Sequence, residues 1–280
     1  MRRRSLLILG LVVAALAAVS APMVASADRS RGGDLDVVAI TADGRLIEFA
    51  SDDPADADTI GRVKGLVGDT AILGIDYRPA TGELIGLGNA GGVYAISDRN
   101  ATATKKSQLS VALTGTSFGV DFNPTVDRFR IVSDTGQNLR ANVDTGATLV
   151  DGTLSYAPPA TASGITGAAY TNNDADVNTA TTLFDLDSVM DQIVVQSPAN
   201  SGTLAPTGKL GVDSGAAVGF DIFSDTRNGT TVGVRALASL TTADGRSRLF
   251  RINLLQGRAR EVGKFDRDDR ITGIAIELDK

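Results

Sequence analysis

The feature of this sequence that most constrains its fold is a short apolar segment that occurs five times. The copies align without gaps on a shared glycine, and successive glycines are 45, 48, 52 and 54 residues apart. The copies are ILGIDYRP (72–79), SFGVDFNP (117–124), ITGAAYTN (165–172), AVGFDIFS (217–224) and ITGIAIEL (271–278). Each copy has the length of one buried strand, and self-similarity at this period indicates a repeat architecture.

Three further strand-like segments follow each of the first four copies, with turn residues such as Thr81-Gly82 and Asp244-Gly245 between them. The fifth copy has no such segments behind it, but three of them, 35–41, 44–50 and 59–63, precede the first copy. The sequence therefore predicts an all-β, five-bladed β-propeller of four-stranded blades, whose C-terminal strand pairs with the N-terminal strands and closes the ring. A β-sandwich, or two smaller β-domains, is the alternative fold.

The composition agrees with an all-β fold and excludes several kinds of site. The chain has 29 Asp, 4 Glu and 31 Gly, a balance that favours tight turns over helix interiors. It has no Cys and no His, so disulfides, catalytic triads and zinc or copper sites built on those residues are excluded. Metals with oxygen ligands, such as calcium, remain compatible with the composition.

The N-terminal segment has the features of a secretory signal. Three arginines at positions 2–4 precede a 14-residue apolar run, 6–19, and the small-residue site Ala25-Ser26-Ala27. The run is too short to span a bilayer comfortably. We expect a signal peptide at 1–27 and one β-propeller domain at 28–280, in a secreted, periplasmic or wall-associated protein. Twin-arginine export and an uncleaved N-terminal anchor are the alternatives.

The charge of the mature chain limits its partners. Removal of 1–27 leaves 24 basic and 33 acidic residues, which gives a net charge of −9. Such an excess of negative charge disfavours nucleic acids and anionic membrane surfaces as partners. We expect no membrane span in the mature chain, and a partner that is an extracellular ligand or a cell-envelope component of unknown identity.

Several segments resemble one known family. They are SFGVDFNPTVDRFRIVSDTGQNLRANVDTGA (117–147), AAYTNN (168–173), TLFDLD (182–187), GTLAPTGKLGVD (202–213), AVGFDI (217–222) and SRLFRINLLQGRAREVG (247–263). Together they resemble the bacterial domain-of-unknown-function 4394 family, over about 35–278. The resemblance implies an exported protein with propeller-like repeats. It implies no enzyme activity and carries over no functional residues.

The main candidates for a binding site are three aspartates at one position of the repeat, two residues after the shared glycine: Asp76, Asp121 and Asp221. The third and fifth copies have Ala169 and Ala275 there. If the repeat strand is the innermost of each blade, the three carboxylates approach the central channel or the seams between blades. They then accept backbone N–H groups of a neighbouring blade, or they attract a cation, for which calcium is best suited.

Two acidic segments are further calcium candidates. Residues 51–58 are predicted to form a loop between the third and fourth strands of the closing blade. In 172–178, the residues Asp174, Asp176 and Asn178 have the spacing that begins an EF-hand loop. Thr179 and Asp185 stand where that loop requires Gly and Glu. Solvated turns are the alternative for both segments.

No catalytic residue is predicted, because no nucleophile or acid–base pair stands out. The second blade carries three arginines, Arg128, Arg130 and Arg140. They are expected to pair with neighbouring acids, Asp127, Asp134 or Asp144, and binding of an anionic ligand is the alternative. The expected function is that of a binding or scaffold module outside the cytoplasm. No cofactor is expected, and calcium is the one that the composition would allow. The alternative is a calcium-dependent hydrolase of a glycan or lactone that uses the channel carboxylates.

Overall fold

The computed structural model describes residues 34–157, 160–176, 178–227 and 230–278, so the predicted signal peptide, 1–27, lies outside the described residues. Within the described ranges every regular element is a strand, apart from one 3₁₀ turn at Ala199–Ser201. None of the helical structure in these ranges is long and apolar enough to cross a membrane.

The strands form five sheets. The first described strands are β1 (Asp36–Thr41), β2 (Arg45–Ala50) and β3 (Asp53–Arg62). The first blade contains β4 (Ile72–Tyr77), β5 (Leu84–Gly88), β6 (Gly92–Ile96) and β7 (Ala103–Gln108). The second contains β8 (Phe118–Asn123), β9 (Arg128–Ser133), β10 (Asn138–Ala141) and β11 (Thr148–Val150).

The third sheet contains β12 (Ser155–Tyr156), β13 (Ala160–Thr161), β14 (Ile165–Tyr170), β15 (Leu183–Asp187), β16 (Gln192–Gln196) and β17 (Thr203–Lys209). The fourth contains β18 (Val218–Arg227), β19 (Thr230–Thr241), β20 (Ser247–Ile252) and β21 (Ala259–Lys264). The last strand, β22 (Ile271–Ile276), completes a fifth sheet of order β22-β1-β2-β3. The five sheets form the predicted five-bladed β-propeller.

The fifth sheet, called the closing blade below, joins the two ends of the described chain. β22 pairs with β1 in antiparallel register, so that Ala275 lies opposite Val38 and Ile276 opposite Val37. Both strands are almost entirely buried. The predicted closure of the ring by the C-terminal strand is therefore confirmed.

The repeat strands β4, β8, β14, β18 and β22 are the innermost strands, and each contacts the next around the axis. The shared glycines make this contact close. A Cβ atom added at Gly119 would lie 2.6 Å from the backbone nitrogen of Ala168, and one at Gly219 would lie 2.7 Å from that of Ile274. A side chain at these positions would therefore separate neighbouring blades.

Two parts of the fold differ from the prediction. Residues 53–58 belong to β3, which pairs with β2, so the acidic segment 51–58 is mostly strand and not a loop. Successive side chains of a strand point to opposite faces, so these acids do not wrap around one ion. The third sheet also has two extra strands, because β12 pairs in parallel with β17 and carries β13 beside it.

Candidate functional site

The space along the propeller axis is divided into three parts. At the N-terminal ends of the inner strands lies a cavity of about 410 Å³, lined by 41–44, 70–73, 116–118, 216–218, Arg270 and Thr272. At mid-height the five shared glycines reduce the space to about 10 Å³. At the C-terminal ends lies a chamber of about 20 Å³ that contains the three repeat aspartates. The two ends are thus separated by packed strands.

The structure brings Asp76, Asp121 and Asp221 together in the small chamber. One carboxylate oxygen from each lies within 4.8 Å of those of the other two. The residues are only 6–7% exposed, because each sits near the end of an inner strand, on the side that faces the axis. The chamber is about the size of one or two waters or a single ion.

Each of these aspartates also connects its blade to the next. The backbone N–H of Phe122 donates to Oδ2 of Asp76 at 2.8 Å, and that of Ile276 donates to Oδ2 of Asp221 at 2.6 Å. Asp121 accepts in the same way from Tyr170. The donor is in each case the residue that follows the equivalent repeat position in the next blade.

The surroundings of the three carboxylates disfavour their ionised forms. Burial raises the pKa of Asp121 well above its ordinary value, and the negative charges of Asp76 and Asp221 raise it further. Burial and the charge of Asp221 raise the pKa of Asp76 in the same way. Burial raises the pKa of Asp221 to about 6, against the opposing effect of two backbone donors. A bound cation would relieve this repulsion, and the all-oxygen ligand set fits calcium.

The large cavity at the opposite end has different chemistry. Among the described residues that line it, Asp43 is the one acid. Its carboxylate accepts from Oγ1 of Thr41 at 2.5 Å and from Arg45 and Arg62 at 3.0 Å each. These contacts, the Thr41 hydrogen bond first, lower the pKa of Asp43 to about 2. The carboxylate therefore stays ionised and has little capacity to accept a bond from a ligand.

Two side-chain donors in the same cavity make no hydrogen bond with other described residues. Arg270 is exposed and Ser117 is half-buried, and neither side chain has a hydrogen bond or ion pair with another described residue. The backbone of Arg270 is fixed, because its carbonyl oxygen accepts from Ala42 N–H at 2.8 Å. The floor is apolar and consists of Ile72, Leu73, Phe118 and Val218. The cavity thus offers free donors above an apolar surface.

The sequence matches a family model, described as a domain of unknown function (DUF4394), over residues 45–275. The chain belongs to the DUF4394 family. This confirms the resemblance carried by the repeat segments. No curated protein matches the sequence of this DUF4394 member significantly.

Several solved structures are similar to this DUF4394 protein at low identity. PorZ, a surface component of the type IX secretion system of Porphyromonas gingivalis, is 16% identical over 81% of this chain and 26% of its own, with a TM-score of 0.39. An auxiliary nutrient-binding protein of Bacteroides ovatus is 12% identical over 80% of this chain and 57% of its own, with a TM-score of 0.38. The chain therefore spans about a quarter and just over half of these two structures.

A third similar structure covers nearly equal lengths of both chains. It is a Bacteroides fragilis protein provisionally named a 6-phosphogluconolactonase, 9% identical over 89% of this chain and 99% of its own, with a TM-score of 0.43. At these values the three likenesses carry no argument about this chain.

The second calcium candidate is an exposed turn. Oδ1 of Asp174 accepts from the backbone of Asp176, and Oδ1 of Asp176 accepts from the backbone of Asn178 at 2.8 Å. Oδ2 of Asp174 accepts from Thr179 at 3.2 Å. Both side-chain oxygens of Asp174 and Oδ1 of Asp176 therefore already stabilise the turn. Asn172 and Asn173, just before it, line the small chamber.

The predicted ion pairs of the second-blade arginines are wrong. Arg130 and Arg140 both pair with Asp151, at 2.6 and 2.7 Å. Asp127 and Asp144 pair instead with Arg78 of the first blade, at 2.5 and 2.9 Å. The remaining arginine, Arg128, donates to backbone carbonyls, and the remaining acid, Asp134, accepts from Thr116. The physical reason is that Asp127 and Asp144 face Arg78 across the seam with the first blade, while Asp134 accepts from the segment that leads into β8 of its own blade.

The sequence analysis did not single out the polar seam between the second and third blades. Arg130 is 1% exposed and donates to Asn138, Tyr170 and Asn200, besides Asp151. Asp185, in the same seam, is fully buried, and neither carboxylate oxygen has a hydrogen-bond partner among the described residues. Burial raises the pKa of Asp185 well above its ordinary value, against the charge of Arg130. The available signal was an acid in the middle of an apolar strand, in TLFDLD.

Proposed function

We propose that this DUF4394 propeller is an exported binding module that holds a small ligand in the 410 Å³ axial cavity. The observation that carries the proposal is the cavity itself, built by the closing, first, second and fourth blades. Its volume falls within the range of small-molecule sites, which also combine an apolar surface with a few polar groups. The ligand then comes from outside the cell or from the cell envelope.

The geometry favours binding over hydrolysis. A glycosidase or lactonase needs its carboxylates beside the substrate. The three channel carboxylates lie in a chamber of about 20 Å³, on the far side of the glycine constriction from the large cavity. The acid within the large cavity, Asp43, is held ionised by Thr41, Arg45 and Arg62, so it does not serve as a general acid near neutral pH.

We further propose that the three aspartates hold calcium in the small chamber. In that position the ion joins the first, second and fourth blades at the axis. Calcium then supports the ring on which the large cavity depends, and takes no part in contacting the ligand.

The test uses residues 28–280 and a panel of neutral sugars, sugar acids, amino acids and hydroxy acids, with thermal unfolding as the readout. We expect at least one member to raise the Tm. Ala216→Trp, at an exposed alanine that lines the cavity, should abolish the shift. Ala80→Trp, at an exposed alanine away from the cavity, should keep it. A shift unaffected by Ala216→Trp would contradict the proposed site. Export is checked by the intact mass of protein recovered outside the cytoplasm, which should begin at Asp28.

A further inference from the structure

The ligand class follows from which hydrogen-bonding groups the large cavity leaves free. Asp43 is occupied by Thr41, Arg45 and Arg62. The hydroxyl of Thr116 donates to Asp134 at 2.6 Å, and that of Thr272 donates to the carbonyl oxygen of Ile40 at 3.2 Å. The hydroxyl of Thr70 accepts from Nδ2 of Asn89 at 3.0 Å and keeps its own proton. The side chains that make no hydrogen bond with other described residues are those of Arg270 and Ser117. A guanidinium only donates, so the cavity is best complemented by a ligand rich in acceptors.

The shape of the cavity restricts the class further. Arg270 belongs to the closing blade and Ser117 to the second blade, so the two donors reach the ligand from different sides of the axis. Between them lies the apolar floor of Ile72, Leu73, Phe118 and Val218. A guanidinium binds a carboxylate through two parallel hydrogen bonds, and an aliphatic body suits the floor.

We propose that the cavity binds a small oxo or hydroxy carboxylic acid, whose carboxylate pairs with Arg270 and whose second oxygen accepts from Ser117. This inference rests on the proposed function and names its ligand class. The local charges permit it, because Asp43, which lines the cavity, and Asp269, next to Arg270, are both already paired, and the exposed Asp268 does not line the cavity. Arg45 holds both Asp43 and Asp269, at 3.0 and 2.9 Å.

The experiment measures binding of three probes to residues 28–280 by calorimetry. The probes are 4-methyl-2-oxopentanoate, 4-methylpentanoate, which lacks the oxo group, and 4-methyl-2-pentanone, which lacks the carboxylate. We expect the oxo acid to bind most tightly, the plain acid more weakly and the ketone not at all. Arg270→Gln removes one partner of the charged hydrogen-bonded pair, and it should weaken binding of the oxo acid about tenfold or more. Ser117→Ala should weaken the oxo acid and leave the plain acid unchanged.

The matched control is Arg267→Gln, which removes the same charge from an exposed arginine of the same loop that does not line the cavity. It should bind the oxo acid like the unmodified protein. Equal binding of the ketone and the oxo acid, or full binding by Arg270→Gln, would overturn the inference. If none of the probes binds, the inference is also wrong. The proposed function would still hold in each of these cases if a neutral compound of the thermal-unfolding panel raises the Tm of the unmodified protein and does not raise that of Ala216→Trp.

Discussion

At the scale of single residues, the repeat aspartates have two opposing effects on stability. Each carboxylate accepts a backbone N–H from the next blade, which fixes the spacing of the inner strands. The same three groups lie within 4.8 Å of one another and are almost completely buried, so ionisation of all three is costly. A proton or a cation therefore decides how much they stabilise the fold.

This balance predicts a dependence on both pH and calcium. Folding raises the pKa of each aspartate. Without metal, their contribution to stability is therefore complete below the ordinary aspartate pKa, near 4. It is lost as the pH rises through the folded-state pKa, which is about 6 for Asp221. At pH 7.5 calcium should restore about 2.7 kcal/mol at a hundredfold excess over Kd, or roughly 5–10 °C in Tm. Thermal unfolding with chelator and with millimolar calcium measures this effect.

The matched variant is Asp121→Asn, which removes one charge and keeps the size of the side chain. Without metal it should melt higher than the unmodified protein at pH 7.5 and similarly at pH 4, because the repulsion is relieved only where the carboxylates ionise. It should also lose most of the calcium shift. A calcium shift that survives in this variant would place the ion elsewhere, and no shift in the unmodified protein would remove the calcium proposal.

The position of the three aspartates followed from the repeat, because equivalent residues of a propeller lie at equivalent depths. Asp185 and Asp43 could not be assigned in the same way. Their environments depend on long side chains that reach in from other strands. Arg130 reaches Tyr170 and Asn200 across a seam between blades, and Arg62 reaches Asp43 from β3 of the same blade. The cavity that contains Asp43 is likewise built from turns of four blades, and no local pattern in the sequence marks it.

At the scale of strands, the repeat pattern predicted the inner strands well, since their apolar runs and glycines are set by the axis. The same pattern predicted the strands at the outer edges of the blades less well. β3 contains several acids, which are rare in strands, yet its pairing with β2 makes Asp53–Arg62 a strand. The β12–β13 ribbon has two residues in each strand and depends on pairing with β17, so tertiary contact overrides what the local sequence suggests.

The inner strands also predict how single glycines respond to substitution. Gly119→Ala would place a Cβ 2.6 Å from backbone atoms of the third blade, and overpacking of this kind costs about 1–3 kcal/mol. Gly233→Ala is the control, because its Cβ would meet only Asp225, at 3.4 Å or more. Denaturant unfolding should show a clear loss for the first variant and a change within about 0.5 kcal/mol for the second. Equal midpoints would contradict the close packing of the axis.

At the scale of the whole molecule, the closing blade is held by pairing between residues far apart in sequence. Val37 lies opposite Ile276, and Phe49, Phe265 and Ile271 share one apolar cluster between the closing and fourth blades. Removing the inner strand exposes both the edge of β1 and this cluster. The ring therefore depends on its last strand as much as on any internal one.

Deletion of 271–280 should accordingly cause aggregation or the loss of cooperative unfolding. A circular permutant is the control: a short linker joins 278 to 34, which is feasible because Ile276 and Val37 are paired, and new ends are placed in the exposed turn at Thr81-Gly82. It keeps every strand and should melt close to the unmodified protein. A truncated protein with an unchanged melting curve would contradict the closing role of β22.

The closing blade is made of strands from both ends of the described chain, and this affects when the protein can finish folding during its synthesis. Synthesis proceeds from the N-terminus, so β1, β2 and β3 emerge first, while their inner neighbour β22 is among the last segments made. Until it arrives, the edge of β1 stays unpaired and the ring stays open. A ring of this kind is therefore completed only after β22 has left the ribosome.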